Sequence, residues 1–118
     1  IGKPDTEAQA IENLTCLSGV THKVVTGLCL LSPHFGMRTI AVKSYVLFKK
    51  LTATQIEEYA KTREPYDKAG GYAVQGLGAI FIEAIDGSYT NVMGFPIEQF
   101  LEELGKLTRI PLYQWFLP

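Results

Sequence analysis

Glu64-Pro65-Tyr66-Asp67-Lys68-Ala69-Gly70-Gly71-Tyr72-Ala73-Val74-Gln75-Gly76-Leu77-Gly78 is the densest run of unusual chemistry in the chain. Four glycines and a proline punctuate it, so the backbone must turn tightly or approach something closely. Among them stand Asp67, Lys68, Tyr66, Tyr72 and Gln75, a mixture that an ordinary core cannot absorb unpaired. Functional residues often sit on loops held by a rigid scaffold. The apolar run 79–85 that follows reads as a buried strand able to serve as one. By spacing alone, the same run is equally a glycine-rich connector between a helix and a strand.

Upstream of it, Thr52 followed by Gln55 has capping-box spacing, and Ile56, Tyr59 and Ala60 recur at helical intervals, so 52–62 reads as a helix. Pro65 ends that region, because the residue before a proline is pushed out of helical geometry. Thr6 and Gln9 repeat the spacing ahead of Ala10, Ile11, Leu14 and Leu17, which makes 5–17 another helix, stopped at Ser18-Gly19. The stretches 22–31 and 38–49 are rich in Val, Thr and Leu and flank the turn residues Ser32 to Gly36. They read as a long hairpin. In the second strand Ile40, Val42, Ser44, Val46 and Phe48 share one side, and the Thr39–Phe48 face is a candidate for packing on another subunit in a homodimer. His34 in the turn reads as solvated. Downstream, 88–94 is expected to be a short loop or strand. Pro96 to Leu107 forms a third helix with Ile97, Phe100, Leu101 and Leu104 on its apolar face. The aromatics Tyr113, Trp115 and Phe116 near the end suggest a segment docked on the body or on a partner.

The 118 residues suit one domain, with 47% hydrophobic and 19% charged residues, an ordinary globular composition. The net charge of −1 lacks the basic stripe that a nucleic-acid footprint needs. No apolar run approaches the length of a membrane span, and no signal-peptide pattern is visible. A cytoplasmic protein with neither nucleic-acid nor membrane partners is expected. Cys16 and Cys29 lie in apolar-periodic segments and read as buried free thiols. With only His22 and His34 beside them, no zinc spacing is present.

The organising run also fits the signature E-P-x-D-K-A-G-x-Y-x-x-Q-G. With Gly2-Lys3-Pro4, Leu17-Ser18-Gly19-x-Thr21-His22, Thr26-Gly27 and Gly87-Ser88-Tyr89-Thr90-Asn91-Val92-Met93-Gly94-Phe95-Pro96, it resembles the Maf-like family of nucleoside triphosphate pyrophosphatases. This is the septum-formation inhibitor group, whose name links it to arrest of cell division. The resemblance implies an α/β fold, a mixed β-sheet flanked by helices of the Maf/ITPase-like kind, as a single domain over 1–118. Because the chain opens on a motif that the family carries in its middle, the resemblance also implies the C-terminal portion of a longer protein. The family's Ser-x-Ser-Pro-Arg-Arg loop and the Gly-x-Asp-Thr/Gln stretch with its catalytic aspartate would then lie upstream.

From the same resemblance come the expected roles. Lys3 reaches the active site, where it contacts triphosphate or steadies the upstream aspartate, although an isolated lysine is ordinarily solvated. Lys68 is a phosphate contact. Asp67 holds a metal, pairs with Lys68, or caps the following turn. Gln75, Gly76 and Tyr72 bind substrate, and the implied cofactor is a divalent metal, Mg²⁺ or Mn²⁺. Family members with Gln-Gly at 75–76 resemble enzymes acting on dTTP and UTP, whereas a Glu-Gly version accompanies methylated guanine nucleotides. The physical logic agrees, since a carboxamide both donates and accepts and so matches the O4/N3–H edge of uracil or thymine. Ser88 and Asn91 read as turn residues bonding nearby backbone, with Tyr89 packing near the site. The implied activity is hydrolysis of nucleoside triphosphates to monophosphate and pyrophosphate, a house-cleaning of the nucleotide pool. The alternative is a nucleotide-binding, regulatory or oligomerisation module without turnover.

Overall fold

Val42, Ser44, Val46 and Phe48 are buried while Ala41, Lys43, Tyr45 and Lys49 are exposed, the alternation that a strand with one covered face requires. The structure, a computed structural model, describes residues 2–111; the aromatics Tyr113, Trp115 and Phe116 lie outside them. The elements run α1 (Glu7–Leu17), β1 (Thr21–Ser32), β2 (Gly36–Phe48), α2 (Ala53–Ala60), three 3₁₀ turns (Glu64–Asp67, Ala69–Gly71, Leu77–Phe81), β3 (Ile82–Gly87), α3 (Tyr89–Met93) and α4 (Ile97–Thr108). The three strands form one sheet in the order β1-β2-β3, so the α/β expectation holds. At its base Gly19 N donates to Lys49 O and Phe48 N to Val20 O, both at 3.0 Å, and Lys49 N reaches Phe81 O at 2.8 Å. No described helix is long and apolar enough to cross a membrane.

Two compact units share the long strands: residues up to 23 with 45–86, and 24–44 with those from 87 on. In the first, α1 begins where Thr6 Oγ1 accepts from Gln9 N at 3.1 Å. Gln9 Oε1 reaches back to Asp5 N at 2.7 Å, one residue earlier than a full capping box. α2 has the complete box, with Thr52 and Gln55 satisfying each other's backbone. Ala10, Leu14, Leu17, Val46, Phe48, Ile56, Tyr59, Ala60 and Phe81 make this unit's core.

In the second unit the buried polar residues decide the packing. Asn91 is 1% exposed, and its Nδ2 donates to Val24 O at 3.2 Å, Val42 O at 3.1 Å and Ser44 Oγ at 3.0 Å. The buried Glu103 meets Arg38 Nε at 2.5 Å. That guanidinium holds its carboxyl below the usual range.

Three expectations need correction. The buried strand expected at 79–85 starts only at Ile82 and is half-exposed, while 77–81 coils into a 3₁₀ turn. A short apolar run fits a strand or a helix equally by periodicity. Residues 89–93 form a helix instead of a loop or strand, because Ser88 Oγ caps it by accepting from Asn91 N at 3.1 Å. Cys16 and Cys29 are both exposed. Cys29 sits at an outward position in the alternation of β1, and Cys16 lies two residues from Leu14, hence off its face.

These contacts rank two substitutions. Thr52→Ala removes one cap and is expected to cost about 1 kcal/mol. Asn91→Ala strips donors from two strand carbonyls in a buried setting and is expected to cost more, on the order of 2–3 kcal/mol. Urea unfolding of both variants checks the order; a smaller loss for Asn91→Ala contradicts the central role given to its amide.

Candidate functional site

The site is built within the first unit, on the turn that follows α2. Pro65 stands in the first turn of the 3₁₀ segment Glu64–Asp67, where its missing N–H costs nothing. The segment ends by presenting Asp67 to Lys68, Oδ1 to Nζ at 2.7 Å. Lys68 holds the Asp67 carboxyl below its ordinary range, and Lys3 adds to the effect. Lys3 is brought there by backbone. Gly70 N donates to Gly2 O at 3.2 Å, Asn13 Nδ2 reaches the same carbonyl at 3.5 Å, and Gly71 lies against the Pro4 ring. Gly70 itself has φ +80°, a conformation that suits glycine.

Beneath this turn the backbone carries Tyr72 inward, to 7% exposure. Its ring meets Phe48 and His22 edge-on, at centroid distances of 4.8 and 5.6 Å. The Tyr72 hydroxyl lies 2.8 Å from His22 Nε2. Burial pushes the phenol up to about 12, so it is protonated at neutral pH. Burial also lowers the His22 imidazole.

Gln75 stands exposed at the far end of the run. The residue that shapes this end is Glu64, for which the motif alone implies no separate role. Its Oε1 accepts from Leu77 N at 2.9 Å and its Oε2 from Gly78 N at 3.0 Å. An ideal Cβ on Gly76 would lie 1.4 Å from Glu64 Oε1, so only glycine lets the carboxylate sit there. A Cβ on Gly78 would meet Ala73 O at 2.8 Å and Tyr59 Oη at 2.9 Å. That Tyr59 oxygen accepts from Ala73 N at 3.1 Å, and burial, then Glu64, raise its pKa. The sequence signal for Glu64 was its place at the head of the E-P-x-D-K-A-G-x-Y-x-x-Q-G signature.

The Gly87–Pro96 motif lies in the second unit. There Ser88 caps α3 as a turn residue, but Asn91 is buried and bonds the carbonyls of distant strands instead of nearby backbone, and Tyr89 is 47% exposed.

A divalent ion needs several oxygen donors converging on one point. Among the described residues no group of three or more His, Cys, Asp or Glu is placed to hold one. Asp67 is paired with Lys68, and both Glu64 oxygens take backbone N–H groups. The described residues therefore do not make a metal site by themselves.

The chain belongs to the Maf-like protein family, whose model matches residues 1–107. A dTTP/UTP pyrophosphatase of Syntrophus aciditrophicus (strain SB) is 49% identical over 112 residues, covering 92% of this chain and 55% of that protein. One from Desulforamulus reducens is 46% identical over 105 residues, 88% of this chain and 55% of the relative. A third, from Neisseria meningitidis serogroup B, is 43% identical over 110 residues, 89% and 53% respectively. The chain spans about half the length of the curated relatives it matches.

The half-buried His22 sets a pH dependence. Its folded pKa lies below the ordinary 6.5, so as pH falls through that value the unfolded chain takes up the proton first. Stability is then independent of His22 above about pH 6.5 and declines as pH drops from there toward the folded pKa. Thermal unfolding between pH 7.5 and 5 is expected to show this decline, and His22→Gln is expected to flatten it. An unchanged slope in the variant assigns the decline to other groups.

Proposed function

We propose that the protein hydrolyses nucleoside triphosphates, with dTTP and UTP preferred, to the monophosphate and pyrophosphate. The observation that carries this reading is the Gly70 N–H to Gly2 carbonyl bond. It gathers two separate motifs, and with them Lys3, Asp67 and Lys68, on one edge of a loop that ends at Gln75. The names of the relatives support the same reaction.

In that reaction water attacks the α-phosphorus, and the bond to the α–β bridging oxygen breaks as pyrophosphate departs. Lys3 and Lys68 are assigned to the phosphates, where fixed cations offset charge that grows on the leaving group. Asp67 has its proton affinity reduced by Lys68, which suits it to orienting that ammonium and not to taking a proton from water. Gln75 is assigned to the base, reading the O4/N3–H edge with its acceptor and donor. Gly76 admits the close approach beside it, and Tyr72 supports the loop from below. Mg²⁺ or Mn²⁺ is proposed to arrive on the triphosphate, its ligands chiefly phosphate oxygens and water.

The test is pyrophosphate release over a panel of triphosphates with Mg²⁺, for the wild type and Gln75→Glu. The wild type is expected to favour UTP and dTTP. The variant is expected to lose roughly tenfold more kcat/KM on these than on GTP, the scale of one hydrogen-bond partner misplaced. Equal losses on every nucleotide take Gln75 out of the specificity role. Tight nucleotide binding without turnover supports a binding module instead.

A further inference from the structure

Both ends of the loop that carries Gln75 are held by side chains. Tyr59 Oη takes the N–H of Ala73 at 3.1 Å. Glu64 takes the N–H groups of Leu77 and Gly78, one on each oxygen, at 2.9 and 3.0 Å. The loop's own backbone bond, Gly76 N to Ala73 O, is long at 3.4 Å. The 3₁₀ turn Leu77–Phe81 has no side-chain cap from Gly76, and Glu64 supplies one from thirteen residues upstream. A carboxylate shared by two adjacent amides at the start of a helical turn is the favourable charge arrangement for such an end. Glu64 is also the first residue of the turn whose last is Asp67. One short rigid segment therefore connects the Asp67–Lys68 pair to the backbone on which Gln75 sits.

We propose that Glu64 is a positioning residue for nucleotide selectivity: it fixes the Gln75–Gly76 backbone relative to Asp67 and Lys68 without touching the nucleotide. This rests on the reading of the protein as a pyrimidine-selective pyrophosphatase. With both oxygens engaged by backbone N–H groups, the Glu64 carboxylate is not available as a base. Gly76 is its steric counterpart, since any Cβ there would displace the carboxylate.

The test compares wild type, Glu64→Gln, Glu64→Ala, Gly76→Ala and the Glu64→Ala/Gly76→Ala double variant. The amide of Glu64→Gln keeps one acceptor but turns a donor toward the other N–H. Its KM for UTP is expected to rise about tenfold with kcat nearly unchanged, and its preference for UTP over GTP to fall by a similar factor, as for one charged hydrogen bond lost. Amide exchange at Leu77 and Gly78 is expected to quicken in the same variant. Gly76→Ala, which pushes the carboxylate from the opposite side, is expected to reproduce the loss of selectivity. In the Glu64→Ala background it is expected to add nothing, the signature of coupled positions.

A lower thermal midpoint in Glu64→Gln with an unaltered UTP-to-GTP ratio makes the residue merely structural and overturns the proposal. Additive effects of the two alanine substitutions overturn it as well. If Glu64→Gln does not fold, Gly76→Ala alone decides by the same ratio. A wild-type chain that shows no preference for UTP defeats the functional reading and the selectivity role together. A selective wild type with indifferent variants defeats only the role of Glu64.

Discussion

The period of two in β2 is the constraint on which the rest depends. Val42, Ser44, Val46 and Phe48 all point to the covered face, and a slip of one residue would exchange them for Ala41, Lys43, Tyr45 and Leu47. Each unit uses its own part of that row. In the first, Phe48 forms the wall against which Tyr72 and His22 stack edge-on. In the second, Ser44 and the carbonyl of Val42 receive the amide of Asn91, and Ser44 in turn donates to Ser88 O at 2.9 Å. A hydroxyl in a row of apolar side chains is thus a junction, not a defect, because it accepts from one polar group and donates to another.

The site follows from that wall. Tyr72 is anchored inward, so the residues on either side of it are carried to the surface: Asp67 and Lys68 before it, Gln75 after it. The buried Tyr72 phenol needs the half-buried His22 imidazole, since alone it would be a polar group enclosed without a partner. Precise spacing of exposed groups is achieved here by an aromatic cluster below and a carboxylate at the side, with little regular secondary structure. 3₁₀ turns suit such work, because their tight pitch allows frequent changes of direction.

What was legible in the sequence was what depends on near neighbours. The Thr52–Gln55 box, the stop at Gly19 and the alternation of β2 are encoded within a few residues, and each is found in the structure. The clustering of Lys3 with Asp67 and Lys68 was legible only through motif resemblance, because sixty-odd residues separate them. Glu64 escaped notice since a side chain reaching backbone amides thirteen residues away leaves no periodic trace. The same contact explains the misplaced start of β3: Ala79, Ile80 and Phe81 have strand-like composition, but the carboxylate secures a turn at Leu77 and Gly78. The α3 helix was too short for periodicity to reveal, and Ser88 was read as a turn residue without its helix. The exposure of the thiols depends on their phase within α1 and β1, which composition does not carry.

β3 stands at the margin of the described sheet, after β2 in the strand order. Such a margin offers unpaired backbone groups to any other extended chain, and proteins commonly discourage that with charge. Here Glu83 and Asp86 are exposed along the strand, beside a shallow apolar groove bordered by Tyr45, Leu47 and Ala84. With a net charge of only −1, the molecule has little general repulsion in reserve, and these two carboxylates are a local guard. Self-association through this margin is therefore the failure that removal of either charge would favour.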